Sequence, residues 1–71
     1  METVKVEIVR IQRDSPYGFA NIVGTERDAL FHFSTVPQSD REKIKLGAIL
    51  DATIYQDIGG RGWRVKNFIG L

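Results

Sequence analysis

Two short clusters of aromatic residues hold the side chains in this sequence that are best suited to recognising a ligand. Tyr17 and Phe19 are separated by one glycine, and His32 lies between two phenylalanines further along the chain. Side chains of a β-strand alternate between its two faces, so Tyr17 and Phe19 are predicted to share one face, as are Leu30 and His32. Flat rings on neighbouring strands make a surface on which unpaired bases can stack. The opposing interpretation is that the rings form the core.

Other kinds of chemistry find little support in the residue types. The chain has one histidine and no cysteine, which argues against a metal-ligand cluster and excludes a disulfide. His32 has no serine or aspartate spaced as in a catalytic triad. The glycine-rich segment 59–62 lacks the Lys-Ser/Thr pair and the following helix of a phosphate-binding loop. We therefore expect no enzymatic activity, no metal and no cofactor.

Alternating apolar residues and turn signals predict five β-strands that would position these rings. The predicted strands are residues 4–12, 17–23, 29–33, 48–55 and 63–69. A proline-containing turn and a polar connection of hairpin length join the first three. Residues 38–45 are polar, and a single helical turn capped by Ser39 or Asp40 fits them as well as a solvated loop does.

The same alternation assigns side chains to the two faces of a strand. Phe31 is predicted to point away from His32, into the core. In the first strand, Val4, Val6 and Ile8 are predicted to face away from Val9 and Ile11. In the fourth strand, Leu50, Ala52 and Ile54 face away from Asp51 and Thr53. In the fifth strand, Trp63, Val65 and Asn67 face away from Arg64, Lys66 and Phe68.

The number and spacing of the strands predict the fold class. Five strands with one longer connection after the third indicate an all-β, five-stranded antiparallel barrel of the OB type, which closes to remove exposed strand edges. An open SH3-like barrel is the alternative. Residues 1–71 are predicted to form one domain, because a chain of this length has material for only one small core.

The charges of the chain are nearly balanced. Ten Lys or Arg residues against nine Asp or Glu give a net charge of +1, which is not typical of a protein held to nucleic acid mainly through phosphates. Base stacking would have to supply most of the affinity of such a complex. Neither a membrane-spanning apolar run nor the apolar segment of a secretion signal is present in the sequence, so the expected location is the cytoplasm.

Four stretches of the sequence resemble the cold-shock domain, a family of OB-type barrels that bind single-stranded RNA and DNA. The most specific is residues 28–34, Asp-Ala-Leu-Phe-His-Phe-Ser, which is similar to the family motif Asp-Val-Phe-Val/Phe-His-Phe-Ser. Residues 15–20, Ser-Pro-Tyr-Gly-Phe-Ala, resemble the motif Lys-Gly-Phe/Tyr-Gly-Phe-Ile. The other two are a glycine turn and strand from Leu46, and a Gly-Arg-Gly loop and strand from Gly60. The resemblance covers nearly the whole chain, residues 4–68.

The resemblance implies binding roles for particular residues. The positions that match the family's stacking residues are Tyr17, Phe19 and His32, with Phe33 at its adjoining aromatic residue and Arg61 at a basic contact. Arg10 stands where the family has a base-stacking tryptophan, and Leu30 where it has phenylalanine. Trp63 replaces a common proline, and it either joins the binding face or plugs the end of the barrel. Arg10, Arg61 and Lys66 are expected to meet phosphates, within a basic rim that includes Arg13 and Arg64.

The expected function is binding of single-stranded nucleic acid, RNA in preference to DNA, as an RNA chaperone or a regulator of translation or transcription. The candidate contact residues are Arg10, Tyr17, Phe19, Leu30, His32, Phe33, Arg61, Trp63 and Lys66. The alternative is a protein-interaction module that docks through Trp63, Tyr17 and Phe68. In either case a monomer or a weak dimer is expected.

Overall fold

In the computed structural model, which describes residues 2–57, 59 and 62–71, five strands close into a barrel. The strands are β1 (Glu2–Ile11), β2 (Tyr17–Ile22), β3 (Asp28–His32), β4 (Ile49–Gln56) and β5 (Trp63–Ile69). Their order is β1-β2-β3-β5-β4, and β1 pairs with β4 to complete the closure. The predicted five-stranded barrel is confirmed, and the closed sheet excludes the open alternative.

The sequence predicts a purely antiparallel barrel, but one pair of neighbouring strands is parallel. β3 and β5 run parallel, with Ala29 opposite Trp63 and Leu30 opposite Arg64. The other four neighbouring pairs are antiparallel. A parallel pair needs a long connection, and here the chain passes through β4 between the two strands. The alternation of side chains is the same in a parallel and an antiparallel strand, so the sequence pattern does not distinguish the two kinds of pairing.

The polar residues 38–43 are helical, but no side chain caps the first turn of that helix. A short 3-10 turn covers Phe33–Thr35, and a longer 3-10 helix covers Gln38–Lys43. Pro37 occupies the N-cap of the longer helix and makes no side-chain capping bond, so the predicted cap by Ser39 or Asp40 is wrong. Asp40 instead pairs with Lys43 at 3.2 Å. Within the described part of the chain, no helix has the length and apolar character needed to cross a membrane.

Apolar side chains from all five strands fill the barrel. The largest fully buried ones are Phe31, Ile8, Ile54, Val6 and Val36. The Phe31 ring meets Phe33 and Phe68 edge to face, with centroid distances of 5.3 and 5.4 Å. Burial of this surface is the main favourable contribution to folding. The predicted core position of Phe31 is confirmed.

A β-bulge in β1 changes which side chains of that strand face inward. Ile8 pairs with Ala20, but the next pair is Arg10 with Phe19, so Val9 is the extra residue. Ile11 then lies opposite Gly18 and packs against the core. Its predicted place on the same face as Val9, opposite to Ile8, is wrong, because a strand's alternation shifts by one residue at a bulge.

A second register shift, in β5, corrects the assignment of Phe68. Thr53 pairs with Asn67 and Ile54 with Val65, which leaves Lys66 as the extra residue. Phe68 is therefore on the inner side with Val65 and is only 7% exposed, whereas Asn67 is exposed. Phe68 is unavailable as a docking residue for a protein partner, contrary to the alternative drawn from the sequence.

Candidate functional site

Three rings lie together on the outer face of β2 and β3, and we call Tyr17, Phe19 and His32 the ring shelf. Tyr17 is opposite His32, with ring centroids 4.8 Å apart and an interplanar angle of 87°. Phe19 is opposite Leu30 in the same two strands. Tyr17 is 39% exposed, while Phe19, Leu30 and His32 are half-buried. The interpretation of these rings as core is therefore wrong.

Small residues on the inner face of β2 explain why the rings point outward. Gly18 and Ala20 alternate with the rings and are buried. The Phe31 ring occupies the space beside Gly18, where an added Cβ would overlap the ring and lie 2.9 Å from the Arg10 carbonyl oxygen. The barrel thus takes its large aromatic side chain from β3 at this level, and β2 presents its own rings to solvent.

Hydrogen bonds hold the His32 side chain in one orientation. Its Nδ1 accepts a bond of 3.0 Å from the backbone N–H of Ser34, which caps the 3-10 turn that follows. The backbone beside it is also held, since the N–H of Phe33 donates to the Pro16 carbonyl at 2.7 Å. An accepting Nδ1 assigns the proton of the neutral imidazole to Nε2. In this tautomer the ring has one N–H donor, at Nε2.

Arg10 extends the ring shelf onto β1. Its guanidinium carbon lies 5.9 Å from the centre of the Phe19 ring, on the strand position directly opposite. Such a cation–π contact at an exposed site contributes roughly 0.5–1 kcal/mol. The Val9 bulge is responsible for this contact, because uninterrupted alternation would place Val9 opposite Phe19 and turn Arg10 inward.

A concavity of about 340 Å³ adjoins the shelf on the side of β5. Its lining residues are Phe19, Asp28, Leu30, Asp57, Gly62, Trp63 and Arg64. Two carboxylates and one guanidinium give the lining a net negative charge, and the carboxylates can accept hydrogen bonds from the N–H groups of a base. The Asp28 carboxylate accepts from Asn21 at 3.2 Å, and the Asp57 carboxylate lies 3.4 Å from Nε of Arg64.

Arg64 belongs to the site through the parallel pairing of β3 and β5. It lies beside Leu30, points outward and contributes to the lining of the concavity. From the sequence it was only one member of a suggested basic rim. No signal in the sequence could have placed it beside the shelf, because the two strands that meet here are more than 30 positions apart along the chain.

The structure places three of the four other predicted contact residues, Trp63, Phe33 and Lys66. Trp63 is opposite Ala29, packs against the core and lines both this concavity and a second one of about 280 Å³ at the end of the barrel. Phe33 packs against Phe31 and the core, away from the shelf. Lys66 is exposed at the β5 register shift. Arg61 lies outside the described residues.

The residues of the outer face are suited to holding a ligand through stacking, charge and hydrogen bonds. Among the residues that the structure describes, no group of three His, Cys, Asp or Glu side chains is placed to hold a metal ion. What the outer face offers is ring surface, a cation and a small acidic concavity. No family model, curated protein or solved structure matches this chain. A functional conclusion therefore depends on the geometry of the outer face.

Proposed function

We propose that this chain is a cold-shock-like OB barrel that binds single-stranded nucleic acid, RNA in preference to DNA, by stacking unpaired bases on the ring shelf. One observation carries the proposal. Tyr17, Phe19 and His32 share a solvent-facing side of β2 and β3, while the opposite side of the same strands fills the barrel. Rings that are held in place and accessible to solvent are the feature that base stacking requires.

Stacking on three rings gives a moderate affinity. A stacked base contributes roughly 1–3 kcal/mol, so the shelf supplies roughly 3–9 kcal/mol before the costs of immobilising the strand. After these costs the expected dissociation constant is roughly 10 µM to 1 mM, and the tighter end requires the strongest stacks. Arg10, Arg61 and Lys66 are the proposed phosphate contacts. With so few cations the affinity should fall only gently as salt is added.

The proposed mechanism is passive. A duplex keeps its bases stacked and paired, so the shelf can reach only bases that are splayed out. Binding therefore draws the equilibrium toward unpaired strands, which is the basis of RNA chaperone activity or of regulation of translation or transcription. RNA is favoured because its 2′-hydroxyl is both a donor and an acceptor and can bond to polar groups at the shelf edge, such as Asp28 and Arg64.

The proposal is tested by titrating fluorescein-labelled hexauridylate at low salt and measuring anisotropy. Phe19→Leu removes one ring, and His32→Asn removes another while keeping an acceptor for the Ser34 N–H. Each should weaken binding by roughly 5- to 100-fold, the equivalent of one lost stack. Ile49→Ala is the matched control, because it truncates an exposed apolar side chain on β4.

Thermal unfolding of the same variants separates binding from folding. Both ring variants should melt within a few degrees of the wild-type protein, as expected for outward side chains. If the wild-type protein leaves hexauridylate unbound at 1 mM, or if the ring variants bind as well as Ile49→Ala, base stacking is not the function of the shelf.

A protein-interaction module is the second candidate, and an exposed apolar group favours it. Leu46 and Ile49 are 65% and 59% exposed, and Val9 and Ile69 are also exposed. Ile49 is opposite Glu7, which is two residues before Val9 on β1, and it is two residues before Asp51, which is opposite Ile69 on β5. Val9, Ile49 and Ile69 therefore lie on three adjacent strands. Exposed apolar clusters often mark contacts between proteins. Absence of nucleic-acid binding would make this candidate the preferred one.

A further inference from the structure

A single row of outward side chains crosses all five strands of the barrel. Arg10 is opposite Phe19, Phe19 is opposite Leu30, Leu30 is beside Arg64, and Arg64 is opposite Tyr55. We call these five residues the outer row. Neighbouring strands are about 4.8 Å apart, so Tyr55 lies about 10 Å around the barrel from Leu30. The row thus continues the surface of the shelf onto β5 and β4.

From this row we infer that the nucleic-acid site extends past β3, with Tyr55 as a further stacking position and Arg64 as the cation between it and the shelf. The ligand at this extension is one more unpaired nucleotide of the strand that occupies the shelf. The inference rests on the proposed function and deepens it, because it adds Tyr55 on β4, a strand that the sequence did not connect with the rings, and gives Arg64 a defined place in the site.

The local structure at Tyr55 suits such a contact. Tyr55 follows the buried Ile54 in β4, so its ring points outward, and it is 37% exposed. A phenol ring in this position offers a face to a base in the same way as Tyr17 does on the shelf. Its opposite neighbour on β5 is Arg64, so a ring and a cation alternate here as Phe19 and Arg10 do on the other side.

The Arg64 guanidinium is held where a phosphate between two bases would pass. Its Nε lies 3.4 Å from Asp57 Oδ1, and its side chain is 41% exposed. A guanidinium carries five N–H donors in a planar fork, so one contact to a carboxylate is compatible with a second to a phosphate. Arg64 itself lines the concavity with Asp28 and Asp57, so a phosphate at its mouth would contact the guanidinium while the carboxylates accept hydrogen bonds from a base.

The dimensions of the row predict a dependence on strand length. Four steps between strands make about 19 Å of backbone arc around the closed barrel from Arg10 to Tyr55, and the path is longer at the level of the outward side chains. OB-type barrels bind from about 4 nucleotides upward, and the shelf alone corresponds to the short end of that range. A tetranucleotide should therefore be able to fill the shelf without reaching Tyr55, whereas an octanucleotide covers the whole row.

The test compares labelled tetrauridylate and octauridylate on the wild-type protein, Tyr55→Leu, Phe19→Leu and the control Ile49→Ala. Tyr55→Leu should weaken octauridylate about fivefold or more and leave tetrauridylate within twofold of wild type. Phe19→Leu should weaken both oligonucleotides. Tyr55→Phe keeps the ring and should bind octauridylate like the wild-type protein, which separates a stacking role from a folding defect.

Two outcomes would overturn the inference in different ways. If Phe19→Leu weakens octauridylate and Tyr55→Leu does not, the site ends at β3 and the proposed function stands. If neither oligonucleotide binds the wild-type protein at 1 mM, the proposed function fails and the extension fails with it.

Discussion

At the scale of single residues, Arg10 places a cation beside a ring of the shelf. Its guanidinium is flat and lies over Phe19, so it can both stack and contact a phosphate. The contact covers part of the Phe19 ring in the unbound protein. A base that stacks on Phe19 must therefore share the ring with Arg10 or displace it toward the phosphate.

Two substitutions at Arg10 separate these contributions. Arg10→Ala removes both the positive charge and the flat guanidinium surface. The affinity for octauridylate should therefore fall at low salt, and the slope of log affinity against log salt should become shallower by about 0.7–1. Arg10→Lys keeps the charge but loses the flat surface, so affinity should fall while the slope stays at the wild-type value. Anisotropy titrations at four salt concentrations measure both, and an unchanged slope in Arg10→Ala would remove Arg10 from the phosphate contacts.

At the scale of strands, two one-residue insertions decide which side chains reach the surface. The extra Val9 in β1 brings Arg10 beside Phe19, and the extra Lys66 in β5 turns Phe68 into the core. Each insertion moves every following side chain to the opposite face. The site and the core thus depend on the same local irregularities.

The contact between β2 and β3 at Gly18 can be tested through stability. Gly18→Ala should destabilise the protein, because the new methyl meets the Phe31 ring and the Arg10 carbonyl. Overpacking costs roughly 1–3 kcal/mol, which outweighs the roughly 0.4–1 kcal/mol gained by restricting the unfolded chain. A loss of roughly 1–2 kcal/mol lowers Tm by about 4–15 °C in a domain of this size.

A double-mutant cycle identifies the cause of that loss. Phe31→Leu shortens the side chain that meets the new methyl, so the combined variant Gly18→Ala/Phe31→Leu should be more stable than the sum of the two single effects. Calorimetric melting of the four proteins gives the coupling. Strict additivity would mean that Gly18 is required for a reason other than space for the Phe31 ring.

At the scale of the whole molecule, the closed barrel separates two surfaces with different compositions. β2 and β3 carry the ring shelf, while β1, β4 and β5 carry the apolar group centred on Ile49. The two surfaces meet at the bulge of β1, where Val9 of the apolar group precedes Arg10, and β4 carries both Ile49 and Tyr55 on its outer face. A protein partner bound over Ile49 is therefore expected to interfere with a strand that reaches Arg10 or Tyr55.

Ligand binding should appear as a change in global stability. A single strand that binds only the folded barrel stabilises it by about 2.7 kcal/mol when present at about 100 times its dissociation constant. For a domain of this size the gain corresponds to a rise in Tm of roughly 10–20 °C. Octauridylate should produce this rise, and an RNA duplex of the same length should not. An equal rise with the duplex would indicate binding through phosphates and not through bases.

The sequence by itself determined the number of strands, their approximate ends and the grouping of Tyr17, Phe19 and His32 on one outer face. These features follow from the alternation of apolar and polar side chains and from turn residues, both of which are properties of neighbouring positions in the chain. The confirmed core position of Phe31 and the inward set of β4 have the same origin.

Only the tertiary structure decided which strands meet and in which register. The parallel contact of β3 with β5, the place of Arg64 beside Leu30, and the inward turn of Ile11 and Phe68 depend on packing between strands that are distant in the chain. The closing barrel selects the bulges that bury the most apolar surface, and a local pattern cannot express that choice. The face that a nucleic acid would meet is therefore a product of barrel closure as much as of the residues that compose it.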